Sequence, residues 1–258
     1  MTRYDSTARR AAGAAALVVT AGLAVAGCKS SVSATGTPAP ATSSAAATSP
    51  AASTSSPAAA QASTFFPVGV DNTWVYTTEV AGKATNDITN KMIAVAPVAG
   101  GQQVTMSVVA GTAAPTTVTY IFHSDGSITV PVTQFGSGTV KLTSGNVIWP
   151  SQAQLATGQA QSSTLVFTVT LAGTVTHETA HVTVKGAGTQ TVTVPAGTYQ
   201  AQVIDETFSE TAAGVPVNFT LQTWVATGVG PVKSALGSTS VTGSVPTTVE
   251  ELKSFTAG

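Results

Sequence analysis

From residue 65 onward, apolar and polar side chains alternate with a period of two. Trp74 and Tyr76 alternate with polar Thr73 and Thr77, and Leu165, Phe167, Val169 and Leu171 share one parity. Val192 with Val194, and Val215, Val217, Phe219 and Leu221, repeat the pattern. Such alternation turns one face of a strand to the core and the other to water, and predicts half-buried β-strands. Gly100-Gly101, Asp125-Gly126, Gly136 with Gly138, Gly186 with Gly188, and Gly228 with Gly230 break it at intervals suited to an antiparallel meander of about ten strands. At Val194-Pro195-Ala196-Gly197-Thr198, proline presets φ and glycine accepts a left-handed backbone, which predicts a hairpin pairing Val192 and Val194 with Tyr199, Ala201 and Val203. Helical character is confined to residues 151–160, where Gln and Ala follow Pro150.

The first quarter of the chain has a different pattern. Arg3, Arg9 and Arg10 precede an uncharged run over residues 11–26, too short and too rich in Ala and Gly to span a bilayer comfortably. It ends in Leu23-Ala24-Val25-Ala26-Gly27-Cys28-Lys29, which resembles the lipobox of bacterial lipoprotein signals. That resemblance implies a signal peptide over residues 1–27, a diacylglycerol on the Cys28 thiol, and Cys28 as the first mature residue. Two acyl chains anchor where one would be marginal. Residues 28–64 then hold almost only Ser, Thr, Ala and Pro, with no aromatic residue, and cannot build a core. They are expected to form a disordered, partly extended tether ahead of a domain over residues 65–258.

Composition narrows the possible partners. Only 8% of residues are charged, so the domain surface must rely on Thr, Ser and Gln. From residue 65 there are six lysines and ten carboxylates, a net charge of −4, and no basic patch to attract nucleic acid. A single cysteine excludes an internal disulfide.

Three segments carry a second resemblance: Phe66-Pro67-Val68-Gly69-Val70-Asp71-Asn72-Thr73-Trp74-Val75-Tyr76, then Val192-Thr193-Val194-Pro195-Ala196-Gly197-Thr198-Tyr199, then Trp224-Val225-Ala226-Thr227-Gly228-Val229-Gly230-Pro231-Val232-Lys233. In this order they resemble a family of bacterial periplasmic and lipoprotein β-domains of unknown function. Members of that family usually carry glycine directly before the asparagine of the first segment, where this chain has Asp71. The resemblance implies a single curved antiparallel sheet, similar to the half-barrels of lipoprotein and lipid carriers. Trp74, Tyr76 and Trp224 are expected to be core or rim anchors, and Gly197, Gly228 and Gly230 to be turn residues.

Catalytic chemistry finds little support. His177-Glu178-Thr179-Ala180-His181 matches the zinc-peptidase pattern H-E-x-x-H, in which a helix places both imidazoles on one metal. Here β-branched residues flank the motif, and on a strand the two histidine Cα atoms lie about 13 Å apart. Strand geometry also sends Asp205 and Glu206 to opposite faces, so they are expected to form a solvated edge and not an acid/base pair. No serine has a histidine–acid partner placed beside it.

The expected protein is therefore all-β: a curved antiparallel sheet, half-barrel or barrel-like, with at most one short helix, after a disordered tether. It is expected to be non-enzymatic, without metal or cofactor, held by lipidated Cys28 on the extracytoplasmic face of a cell membrane. An apolar or lipid ligand would be lined by Phe65, Phe66, Trp149, Phe167 and Trp224. The competing expectation is a surface protein-interaction or structural module, with zinc peptidase activity a remote third. A sheet without amphipathic helices must find cover by closing into a barrel or sandwich, or by laying the 151–160 segment across its concavity.

Overall fold

The computed structural model describes residues 65–130, 140–171, 174–212, 215–240 and 243–258. The signal, the tether and Cys28 lie outside the described residues. The first part of the domain holds β1 (Thr73–Val80), β2 (Lys83–Ala84), β3 (Ile88–Val98), β4 (Gly101–Ala110), β5 (Thr116–His123), β6 (Ile128–Val130), β7 (Val140–Ser144) and β8 (Val147–Trp149). After the helix α1 (Gln152–Ala156) come β9 (Gln161–Leu171), β10 (Thr174–Val194), β11 (Gly197–Ala212), β12 (Val215–Ala226), β13 (Gly230–Ser240) and β14 (Gly243–Thr256).

All fourteen strands belong to one antiparallel sheet, four more than the glycine spacing predicts, because β2, β6 and β8 are two or three residues long. The order is β7-β9-β10-β11-β12-β13-β14-β1-β3-β4-β5-β6-β8, with β2 pairing β1 off that path. Two meanders are thus joined where the first strand meets the last, in a register that sets Thr73 against Thr256 and Thr78 against Glu250.

Curvature follows from the chain's connectivity. β7 and β8 occupy opposite edges of the sheet, yet only Gly145 and Asn146 separate them. Three Cα–Cα steps of 3.8 Å reach at most about 11 Å, so the two edges must lie within that distance. The sheet therefore rolls up until its edges meet, and β8 packs against β9 without closing the hydrogen-bond ladder. At this crossing Gly145 has φ +99, and a Cβ there would overlap the Thr164 carbonyl oxygen of β9.

Rolling gives the sheet its own cover. Alternate residues such as Val104, Met106 and Val108 on β4, or Ala180, Val182 and Val184 on β10, are buried in one core. The predicted helix is present but shorter, five residues long. Ser151 caps it, with Gln154 completing a capping box, and Gly158 at φ +70 follows its end. Its buried Leu155 packs against β10, where Gly186 leaves space that a Cβ would take from the Leu155 carbonyl.

Candidate functional site

The three segments that carry the family resemblance meet around a single set of contacts. Trp74 Nε1 donates to the Val229 carbonyl at 2.6 Å, and Tyr76 Oη donates to the Pro231 carbonyl at 3.0 Å. The first segment is thereby fastened to the β12–β13 turn, where Gly230, at φ +96, lets Phe66 approach. The middle segment forms the predicted hairpin: Val192 pairs with Tyr199, and Ala196 N donates to the Leu252 carbonyl at 2.9 Å. Asp71 has φ +72, a left-handed conformation that glycine adopts most easily. Asn72 is a latch, donating to the Pro67 carbonyl at 2.7 Å and accepting from Gly258 N at 2.9 Å.

Beside this junction the rolled sheet encloses a cavity lined by Phe66, Trp74, Tyr76, Asn90, Met106, Tyr120, Trp149, Leu221, Thr223, Leu236 and Glu250, among others. Its volume is ≈ 40 Å³. This is room for about three water molecules. Phe66 is central to one wall, with ring centroids 5.6 Å from Phe122, 6.3 Å from Trp74 and 6.5 Å from Trp149.

Five residues are expected as an apolar lining, and the fold separates them. Phe66 and Trp149 line the cavity. Phe65 and Phe167 are buried but belong to filled core away from it. Trp224 does not line it either: its neighbour Thr223 faces the cavity, so alternation sends Trp224 to the opposite face. There Trp224 is half-buried, donates through Nε1 to Gln190 Oε1 at 3.0 Å, and has Lys233 Nζ 5.7 Å from its ring.

The polar lining is what sequence reasoning missed. Glu206 does not sit on a solvated edge. It is 2% exposed, facing inward between Ile204 and Phe208 on β11, and only Asp205 points outward, where it accepts from Gln222. Burial raises the Glu206 carboxyl to about 8; the nearby Trp149 indole partly offsets the rise, although Trp149 Nε1 and Glu206 Oε1 both lack a hydrogen-bond partner. Glu250 is 6% exposed, and burial raises its carboxyl to about 7 against the opposing pull of Ser234 Oγ, which donates to Oε2 at 3.2 Å. Glu250 Oε1, Thr223 Oγ1 and Asn90 Oδ1 also lack partners. Burial, reinforced by Glu250, pushes the Tyr76 and Tyr120 hydroxyls up, so both stay neutral donors. Periodicity marks position 206 as core-facing through Ile204 and Phe208, and this was the available signal.

The histidine motif lies wholly within β10, as its flanks predict. His177 and His181 stand opposite Thr168 and Thr164 of β9 and contact those hydroxyls at 3.5 and 3.4 Å. Among the described residues, no group of three or more His, Cys, Asp or Glu side chains is placed to hold a metal ion.

The DUF3108-like family model matches residues 73–235, more than half of the chain. The chain belongs to the DUF3108-like family. A Parabacteroides distasonis protein described as a lipoprotein is similar in structure, with a TM-score of 0.54 at 15% identity over 76% of this chain and 100% of that one. A Bacteroides fragilis protein, described as exported and YmcC-like in fold, gives 0.51 at 14% identity over 75% and 99%. These likenesses establish a shared fold. No curated protein matches the sequence.

Proposed function

We propose that this protein is a non-enzymatic lipoprotein of the bacterial cell envelope, tethered through Cys28, whose rolled sheet binds an apolar or amphiphilic small molecule. The observation that carries the reading is the cavity on the sheet's inner face. Aromatic and aliphatic walls meet polar atoms without protein partners there, the usual composition of a small-molecule site. The cavity is too small for a long acyl chain, so only the head of such a ligand fits inside it and the chain extends beyond it. Each methylene removed from water contributes about 0.8 kcal/mol. The lipobox-like Val25-Ala26-Gly27-Cys28, and relatives in fold described as exported or as lipoproteins, support the envelope location.

The test is displacement of an uncharged fluorescent acyl probe by extracted envelope lipids from the soluble chain, residues 29–258, which lacks the lipidated Cys28, with native mass spectra of freshly purified protein. Saturable binding at micromolar protein is the expected result. No saturable binding, together with no co-purifying lipid, would leave the domain as an interaction or structural module.

A further inference from the structure

Among the described residues that line the cavity, Glu250 is the acidic side chain and Lys233 the basic one. Glu250 reaches it from β14 with Oε1 unpartnered, and Glu206 lies next to it behind Trp149 and Tyr120. The other elements facing Glu250 are β1 with Tyr76 and Thr78, β3 with Asn90, β5 with Tyr120, β12 with Thr223 and β13 with Ser234. None of these side chains is cationic. Lys233 also lines the cavity, but its Nζ is held by Glu251 Oε1 at 2.8 Å and stands 5.7 Å from the ring of Trp224 on the other face.

An unpaired carboxylate in such surroundings costs several kcal/mol unless it is neutralised or paired. Aromatic faces attract cations through their quadrupoles and repel anions. Trp74, Tyr76, Tyr120 and Trp149 share the cavity with Glu250, so both features favour the same charge. A free carboxylate head, as on a fatty acid, would instead meet two acidic side chains.

Resting on the reading of the inner face as an amphiphile site, we infer that the enclosed cavity takes a cationic ammonium head group, paired with Glu250 and flanked by the aromatic rings. A protonated amine or a methylated ammonium supplies a positive charge for Glu250 that Lys233, already paired with Glu251, does not. Thr223 Oγ1 gives an unprotonated amine or a hydroxyl on the same ligand a further contact.

Three surfactants with the same twelve-carbon chain separate head from tail: dodecyltrimethylammonium, dodecanoate and the neutral dodecyl octaethylene glycol ether. Each is titrated calorimetrically at pH 8, below its micellar concentration, into the mature chain. The ammonium compound should bind at least roughly tenfold more tightly than the other two. Glu250→Gln should remove this preference while keeping affinity for the neutral ether, which shows that the variant is folded. Glu79→Gln, the same charge change at an exposed site, should leave the preference intact. Equal binding of all three, tighter binding of dodecanoate, or a preference that survives Glu250→Gln would overturn the head-group assignment while leaving amphiphile binding in place. Binding of none would remove both.

Discussion

At the scale of single residues, the buried carboxyls determine how the protein responds to pH. Burial pushes Glu206 and Glu250 up to about 8 and about 7 in the fold from the ordinary glutamate value of 4.5, so the folded state keeps protons that the unfolded chain gives up. Their contribution to stability is therefore complete below about pH 4.5 and is lost as pH rises through 7 and 8, because the unfolded chain binds fewer protons across that window. Thermal melts of Glu206→Gln should show a flatter pH dependence than wild type and a gain on the order of 1–3 kcal/mol at pH 9. An unchanged slope between pH 5 and 9 would mean that Glu206 is ionised and solvated in the fold. Alternation identifies both glutamates as members of inward-facing rows. Their chemistry pulls the opposite way, and only burial decides between the two. Asp71 shows the same limit, since its left-handed backbone at φ +72 is not announced by the aspartate itself.

At the scale of elements, most of the molecule is legible in advance. The hairpin at residues 194–197 forms with Val192 opposite Tyr199 because its proline, glycine and flanking valines all favour the same local geometry. β10 runs through the histidine motif for the same reason, its Thr and Val residues outweighing a five-residue pattern that has meaning only on a helix. The helix is where local reading loses detail. Residues 151–160 are mostly Gln and Ala and permit several helical lengths; Ser151 caps the observed five residues, Gly158 follows their end, and the helix rests on β10. Gly186 fixes that contact. Gly186→Ala should place a methyl group against the Leu155 carbonyl and displace α1, at a cost of about 2–3 kcal/mol in urea unfolding. Gly188→Ala is a useful comparison: nothing lies within 4 Å of its Cβ position, so any loss there comes from its φ of +86 alone.

At the scale of the whole molecule, folding is expected to be independent of the tether. Residues 29–64 contain no apolar side chain larger than the single Val32, and the described domain completes its core from residue 65 onward. A chain beginning at Ala62 should melt within a degree or so of the mature chain, and a loss of several degrees would show that the tether packs on the domain. What the sequence determines by itself is the strand class, the hairpins and the family, because each depends on residues close together along the chain. Tertiary structure alone decides that β7 and β8, two residues apart, become opposite edges of one sheet, and that rolling them together brings Trp149 from β8 beside Glu206 of β11. It also decides which aromatics line the cavity and which fill the core. Period-two alternation assigns a face to each side chain, but the roll of the sheet sets what that face meets, and this depends on pairings more than a hundred residues apart such as Tyr76 with Leu252.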